Sequence, residues 1–275
     1  MNETFALHRG SSPLLISVPH DGRQIPDEIR ARMTPAGQEI PDTDWHVARL
    51  YDFAGAIGAS ILVAHYSRFV VDLNRSASDE VLYPGQAVTG LCPQKTFAGD
   101  DIYQPGEEPG EAQKQERVRR YWMPYHTALS RELKALREQH GYALLWDAHS
   151  IPGEVPRLFE GRLPTLNFGT YDEQSCAPAI ANPVFRAAKS SAFDAVLNGR
   201  FKGGNITRHY GDPENHIHAM QLEIAQRCYM DESTRQYDMG RAEQLRSFLR
   251  HALELFQNAA AQHFDQVARA PGASA

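Results

Sequence analysis

Four polar residues in three parts of the sequence have side chains suited to binding metal ions or carboxylates. His20, the pair Asn74 and Arg75, and His149 each come at or just after the end of a short apolar segment. Imidazole nitrogens are common metal ligands, and a guanidinium group donates paired hydrogen bonds to carboxylates. In open α/β sheets the ligand crevice lies outside the carboxyl ends of the strands. We therefore expect these side chains to converge at that edge of a sheet.

The two histidines are candidate metal ligands, because each follows a predicted strand that can orient it. A single histidine in such a place is more often a hydrogen-bonded loop residue, but two in equivalent positions favour a metal site. We expect the third ligand to be an acid, and Asp44, at the start of a predicted helix, is the candidate, with Asp42 and Asp21 as alternatives. An acid at position 44 is also favourable simply because it lies at a helix N-terminus, with no metal ion involved. Asp147, two residues before His149, can orient an imidazole.

Glu223 lies in the predicted strand 217–224, where a carboxylate is unexpected. With the two-residue period of a strand, Met220, Leu222 and Ile224 face one side, and Gln221 and Glu223 face the other. Burying a carboxylate is costly unless it is paired or functional. Glu223 is therefore a candidate general base for water activated by a metal, and an ion pair with a buried arginine is the alternative.

Three arginines are candidates for binding a carboxylate or a developing oxyanion. Arg68 and Arg75 bracket the predicted strand 69–73, and Arg208 lies in the glycine-rich segment 203–211. The donors of a guanidinium group match both kinds of oxygen, although structural ion pairs are a fair alternative for Arg68 and Arg75. The glycine-rich segment lacks the spacing of a phosphate-binding loop, so we interpret it as a substrate-facing loop.

The elements that position these residues alternate between strands and helices. Asp42 or Thr43 is expected to cap the first helix, Pro124 to kink or restart the second, and Gly141 to end it. Segment 76–113 is a long loop, and whether it is a lid is left open. This alternation predicts an α/β fold, a central sheet with helices on both faces. Strands are predicted at 14–18, 60–64, 69–73, 142–146, 165–168, 195–197 and 217–224, and helices at 44–57, at 118–140 and around 245–256.

Length and composition exclude several classes of protein. The chain has 275 residues and a formal charge of −6, so no basic field favours a nucleic-acid partner. Three distant cysteines do not suggest a disulfide framework, and neither a signal peptide nor a membrane span is predicted, so we expect a cytoplasmic protein. Without a linker or repeat, we expect one catalytic domain over 1–267 and a disordered tail over 268–275.

Five segments in a fixed order resemble the N-formylglutamate amidohydrolase family, also called N-formylglutamate deformylases. Each motif alone is weak, but the ordered set spans roughly 14–230, most of the chain. The segments are Val-Pro-His-Asp-Gly at 18–22, Ser-Arg-Phe-Val-Val-Asp-Leu-Asn-Arg at 67–75, Trp-Asp-Ala-His-Ser at 146–150, Phe-Lys-Gly-Gly-Asn-Ile-Thr-Arg-His-Tyr-Gly at 201–211 and Gln-Leu-Glu-Ile at 221–224.

The resemblance implies a three-layer phosphorylase/hydrolase-like fold with a central mixed sheet, related to zinc carboxypeptidases. It also implies metal-dependent hydrolysis of N-formyl-L-glutamate to formate and L-glutamate, the last step of a histidine degradation branch. One divalent ion is implied, with zinc favoured over cobalt, manganese or iron. By position, the resemblance makes His20 and His149 metal ligands and Glu223 the general base. It makes Arg68 the catalytic arginine. The substrate-binding residues that it implies are Asn74, Arg75 and Arg208.

One residue departs from the pattern of the wider superfamily. That superfamily often takes its acidic metal ligand three residues after the first histidine, where this chain has Arg23. The acid must therefore come from elsewhere, and this is the reason for choosing Asp44.

Other functions remain as alternatives. A Ser-His-Asp hydrolase could use Ser150 or Ser17, but the Gly-x-Ser-x-Gly elbow is absent from the sequence. A metal-dependent deacylase of another N-acyl amino acid, such as an N-acylaspartate, is a nearer alternative. A non-catalytic amino-acid-binding protein is the most distant one. The oligomeric state is not predicted.

Overall fold

A mixed sheet of seven strands forms the centre of the molecule. The computed structural model describes residues 3–79 and 89–269. The strands are β1 (Phe5–His8), β2 (Leu14–Val18), β3 (Ser60–Ala64), β4 (Ala143–Ile151), β5 (Leu166–Gly169), β6 (Ala195–Leu197), β7 (Ile217–Ala225), β8 (Met230–Asp231) and β9 (Gln236–Tyr237).

The order of the strands places β2, β4 and β7 side by side in the middle of the sheet. The large sheet has the order β1-β3-β2-β4-β7-β5-β6, and β8 pairs with β9 separately. Neighbours are parallel except for the pairs β1 with β3 and β5 with β7. The carboxyl ends of β2, β4 and β7 therefore meet at one edge, as the sequence predicted for the first two.

Helices cover both faces of this sheet, which confirms the predicted α/β class with a central mixed sheet. The helices are α1 (Asp27–Arg30), α2 (Pro35–Gln38), α3 (Val47–Leu50), α4 (Glu111–Arg117), α5 (Met123–His140), α6 (Pro178–Lys189), α7 (Asn205–Tyr210) and α8 (Met239–Arg269). Short 3-10 turns lie at Ala54–Ile57, Pro213–Asn215 and Gln226–Cys228, and a π turn at Val118–Trp122.

Alternate residues of the central strands pack into two separate hydrophobic layers. Ile16 and Trp146 belong to the layer under α6 and α8, whereas Leu15 and Leu145 belong to the layer under α5. Because side chains alternate along a strand, fully buried strands such as β2 contribute side chains to both layers. In β7, Met220 faces the α8 layer, which confirms the predicted two-residue period.

Residues 69–73 do not form a strand, contrary to the prediction. They lie in turns, although Val70 and Val71 are buried. The Asp72 carboxylate accepts a hydrogen bond from the Asn74 backbone N–H at 2.9 Å. Such a local bond between a side chain and the backbone competes with pairing in a sheet. An apolar run with an acid near its end was therefore mistaken for a strand.

The predicted helix over 44–57 is also wrong, since only α3 and the following 3-10 turn are helical there. Neither Asp42 nor Thr43 caps it, and the Thr43 hydroxyl donates instead to a nearby backbone carbonyl. His46, directly before α3, has a left-handed φ of 65°. The Asp21 carboxylate accepts a backbone N–H of α3 at 2.9 Å. An acid distant in sequence thus caps a shorter helix.

The predicted long helix is confirmed, with one irregular turn. The π turn separates α4 from α5, and Pro124 lies in the first turn of α5, where its missing N–H costs nothing. Gly141 ends α5 in a left-handed conformation with φ 82°. Part of the predicted loop 76–113 belongs to α4, and its residues 80–88 lie outside the described residues.

Two further predictions near the carboxyl-terminal half need correction. The segment 203–211 is not simply a loop, because most of it forms α7. The predicted disordered tail, 268–275, begins inside α8, which extends to Arg269, and its remainder lies outside the described residues. No helix within 3–79 and 89–269 has the length and apolar composition needed to cross a bilayer.

His218, in β7, predicts a loss of stability in mild acid. It is buried, its Nδ1 accepts the Ala177 N–H at 3.2 Å, and burial together with His263 and His216 lowers its pKa to about 4. An unfolded histidine titrates near pH 6.5, so below that pH the unfolded chain binds the extra proton and stability falls until about pH 4. Between pH 7 and pH 5, we expect the unfolding free energy of His218→Leu to fall by about 2 kcal/mol less than that of the wild type.

Urea denaturation of both proteins at pH 7 and pH 5 measures this difference. His251→Leu, which alters an exposed histidine of α8, is the control, and its unfolding free energy should fall as much as that of the wild type. Equal losses for His218→Leu and the wild type would contradict the prediction.

Candidate functional site

The strand β4 runs past its predicted end at Trp146 and carries His149 inside the sheet. All nine of its residues are buried. His149 pairs in register with Glu223 of the parallel strand β7, and Asp147 pairs with Gln221. Side chains of directly paired residues lie on the same face of a sheet. The sheet itself therefore places these four polar groups next to each other.

His20, Asp44 and His149 form the group with the geometry of a metal site. Asp44 Oδ2 lies 3.0 Å from His149 Nδ1 and 3.7 Å from His20 Nδ1. One ligand atom from each residue lies within 4.8 Å of the other two, and all three side chains are buried. His20 follows β2, Asp44 lies in the turn before α3, and His149 comes from β4. Two imidazoles and one carboxylate could thus share one divalent ion.

Partners at the far side of each imidazole direct its Nδ1 towards Asp44. His20 Nε2 lies 2.8 Å from Asp72 Oδ1, and His149 Nε2 lies 3.1 Å from Asp147 Oδ1 and 3.0 Å from the Asn74 amide nitrogen. His20 Nδ1 is buried and has no hydrogen-bond partner among the described residues. A buried nitrogen without a partner fits a bound metal ion, because ligating histidines are typically held from behind by carboxylates.

The charges around the triad also favour a cation. Burial opposes the charged form of Asp44, but its hydrogen bond with His149 and the nearby imidazoles of His20 and His149 hold its pKa below the usual range. Burial opposes a charged imidazole, but the carboxylates of Asp147 and Asp44 still raise the pKa of His149 well above its usual value. A proton and a metal ion are stabilised by the same negative field. The site therefore has the electrostatics of a cation site.

Asp72 is a buried residue of the candidate site that was not predicted from the sequence. Its second oxygen accepts a hydrogen bond from Arg68 Nη2 at 2.7 Å, so one buried carboxylate holds both His20 and Arg68. Burial raises the pKa of Asp72, but Arg68 and His20 together bring it well below its usual range. The sequence does contain a signal for Asp72, because burying an acid within an apolar run costs free energy unless the acid is paired, as for Glu223.

Glu223 is the remaining acid of the site. Its side chain is 8% exposed, and burial raises its pKa to about 8. A carboxyl group whose pKa lies near neutral pH can both accept and return a proton under physiological conditions. The neighbouring Gln221 accepts the Gly204 N–H at 2.7 Å and is thus tied to the segment before α7.

One cavity contains most of the predicted site residues. Arg208 is not part of its described lining: its Nε donates to the Gly203 carbonyl at 2.8 Å, and its guanidinium lies 4.3 Å from the centre of the Tyr171 ring. Arg75 does line the cavity and donates to the carbonyl and the hydroxyl of Thr89. The predicted residues that line the cavity are His20, Asp44, Arg68, Asn74, Arg75, His149 and Glu223.

Helix α5 and the π turn hold the segment that carries Asn74 and Arg75. Trp122 Nε1 donates to the Arg75 carbonyl at 2.9 Å, and His126 Nε2 lies 2.8 Å from the Leu73 carbonyl. The two rings stack with their centroids 3.6 Å apart. A carbonyl only accepts, so His126 carries its proton on Nε2. This positioning of the segment was not predicted, because it depends on contacts distant in sequence.

A serine nucleophile has no support in this geometry. The Ser150 hydroxyl accepts a hydrogen bond from the Tyr229 hydroxyl at 2.7 Å. The Ser17 and Tyr125 hydroxyls are hydrogen-bonded to each other at 3.0 Å. Within 3–79 and 89–269, neither hydroxyl is hydrogen-bonded to a histidine. The Ser-His pair that such a nucleophile requires is therefore not formed.

Comparison with known proteins agrees with this site. Residues 12–230 match the sequence profile of the family described as N-formylglutamate amidohydrolase. The chain is 50% identical over 234 residues to an N-formylglutamate deformylase of Pseudomonas putida, covering 85% of this chain and 87% of that protein. It is 48% identical over 256 residues to one of Pseudomonas aeruginosa, covering 92% and 96%. The crystal structure of N-formylglutamate amidohydrolase from Ralstonia eutropha JMP134 superposes with a TM-score of 0.79 at 25% identity, covering 94% and 97%.

Proposed function

The chain belongs to the N-formylglutamate amidohydrolase family, and from this we propose that it hydrolyses N-formyl-L-glutamate to formate and L-glutamate. It is a hydrolase of a linear amide bond. The observation that carries the proposal is the meeting of His20, Asp44 and His149 within one cavity that also contains Glu223 and Arg68. A metal-ligand triad, a proton acceptor and a cation are the groups that amide hydrolysis needs.

His20, Asp44 and His149 would hold one divalent ion, for which zinc is the first candidate and cobalt, manganese and iron are alternatives. Such an ion acts as a Lewis acid that polarises a carbonyl and lowers the pKa of a coordinated water to about 7. Asp72 holds the His20 ring through a hydrogen bond, and the Asp147 carboxylate lies 3.1 Å from His149 Nε2. Asp44 does not cap a helix, and the Ser150 backbone N–H holds its carboxylate in the site by donating to Oδ2 at 3.1 Å.

Glu223 transfers the proton in this mechanism. Its carboxylate accepts a proton from the attacking water and then delivers it to the amine nitrogen of the leaving glutamate. General acid–base catalysis of this kind contributes on the order of 10²–10⁴ in rate. The raised pKa of about 8 supports the second step, since a protonated carboxyl group of that pKa releases its proton to the more basic amine.

Arg68 stabilises the negative charge that develops on the formyl oxygen. Asp72 holds its guanidinium at 2.7 Å, so the cation is oriented before the substrate arrives. Preorganised donors of this kind are a main source of rate enhancement. Asn74 and Arg75, which line the cavity, hold the carboxylates of the glutamate moiety in this proposal, and the contacts of Trp122 and His126 keep both in place. Arg208, the third predicted substrate-binding residue, lies outside the described lining and receives no role.

Several finer points belong to the same proposal. The activity would complete a branch of histidine degradation, and one catalytic domain would span 1–267. Free thiols at Cys92, Cys176 and Cys228 support a reducing, cytoplasmic location. The mixed sheet with ligands at the ends and within its central strands supports a phosphorylase/hydrolase-like fold related to zinc carboxypeptidases.

Release of the free amino acid from a panel of N-formyl and N-acyl amino acids tests the function, because an N-acetyl substrate yields acetate and not formate. We expect release from N-formyl-L-glutamate, a much slower reaction with N-acetyl-L-aspartate, and loss of both activities after dialysis against a chelator. Adding back one equivalent of Zn²⁺ should restore formate release. Full activity in a protein shown to be free of metal would contradict the metal-dependent mechanism, and preference for the acylaspartate would contradict the substrate.

A further inference from the structure

Arg200 lines the same cavity, although the sequence analysis did not select it. It follows β6 in a turn that Asn198 fixes, because the Asn198 side chain accepts the Thr170 N–H at 2.8 Å and donates to the Thr170 hydroxyl at 2.9 Å. Arg200 Nε donates to the Leu158 carbonyl at 3.1 Å. The Leu158 carbonyl therefore holds the guanidinium group on its Nε side, and the hydrogen bonds of Asn198 fix the turn that carries Arg200.

The outer nitrogens of Arg200 remain available to a ligand. Within the described residues, Nη1 and Nη2 of Arg200 have no hydrogen-bond partner, and no acid forms an ion pair with it. Arg68, by contrast, is paired with Asp72 and lies 3.7 Å from Asp44. Arg200 is thus a cavity-lining cation whose charge is not neutralised by a described carboxylate.

We propose that Arg200 binds the side-chain carboxylate of the substrate and so determines the preference for an acidic N-formyl amino acid. This inference rests on the proposed function. N-Formyl-L-glutamate has two carboxylates, and the one on the α-carbon is close to the scissile amide. Arg75 lines the cavity next to Asn74, which contacts His149, and in this proposal Arg75 takes the α-carboxylate. Arg200, on a different element, is placed for the distal one, where two Nη donors suit a carboxylate.

Substitution of Arg200, assayed with two substrates, tests the inference. N-Formyl-L-glutamine has the size of N-formyl-L-glutamate but lacks the distal charge. For Arg200→Met we expect kcat/KM with N-formyl-L-glutamate to fall about 10- to 100-fold, mainly through KM, since one charge-assisted contact is lost. With N-formyl-L-glutamine it should change by less than about threefold, so that the preference between the two substrates is largely lost.

Two further variants keep the test independent of folding. Arg200→Lys retains the positive charge but lacks the paired N–H donors of a guanidinium group. It should retain part of the preference for N-formyl-L-glutamate over N-formyl-L-glutamine. Arg162→Met, which changes an exposed arginine in the segment before β5, should behave like the wild type. If kcat/KM of Arg200→Met and Arg200→Lys falls equally with both substrates, or falls with neither, the inference about Arg200 is overturned and the proposed function is not affected. A wild-type protein that releases no formate from any N-formyl amino acid would instead overturn the proposed function on which it rests.

Discussion

Replacement of Glu223 by glutamine is expected to lower kcat for formate release at least ~100-fold while the protein keeps its metal. Glutamine has the same shape, but it cannot accept a proton from water or return it to the amine. Glu223 lies opposite His149 in the sheet and is not part of the His20–Asp44–His149 group, so the metal should remain bound. Steady-state kinetics together with metal analysis of the purified variant measures both quantities.

Glu214→Gln is a matched control for this variant, because Glu214 is exposed in a 3-10 turn before β7. It should have wild-type activity and metal content. Activity of Glu223→Gln within about threefold of the wild type would remove Glu223 from the mechanism. Loss of the metal from Glu223→Gln would make Glu223 a ligand rather than a base.

Replacement of His149 by alanine should abolish metal binding and reduce formate release at least ~100-fold. The variant removes one of three ligand atoms and also leaves Asp147 and Asp44 buried without their imidazole partner. We expect about one ion per chain in the wild type and almost none in the variant after dialysis. His20→Ala should give the same result, because its Nδ1 faces the same carboxylate at 3.7 Å.

His251→Ala, on the exposed side of α8, is the control for both histidine variants and should retain its ion. Circular dichroism distinguishes loss of the metal from loss of the fold. A folded His149→Ala protein with unchanged metal content would contradict the ligand assignment.

The parts of the fold that depend on local pattern could be predicted from the sequence. Apolar runs identified β2 and β3, and the two-residue period of β7 placed Glu223 on the face opposite Met220. Helical spacing identified α5, and Gly141 marked its end. In each case the signal lies within one element, as a continuous apolar run where both faces are buried or as a periodic pattern where one face is.

The site could be predicted only in part, because its connections join residues distant in sequence. His20 and His149 were recognisable from their places near strand ends, but Asp44 was assigned to a helix that does not include it. Asp72 pairs with His20, which lies 52 residues away in the sequence, and no pattern around residues 69–73 identifies that partner. Tertiary contacts override local preference at such places.

The central claim is that one divalent ion is held by His20, Asp44 and His149, and anomalous diffraction from crystals of the purified protein tests it most directly. X-ray fluorescence first identifies the metal, and data collected at its absorption edge then locate it. The account predicts a single strong anomalous peak about 2.0–2.2 Å from a nitrogen of each histidine and from a carboxylate oxygen of Asp44. A metal-containing crystal whose peak lies away from these three residues would contradict the account.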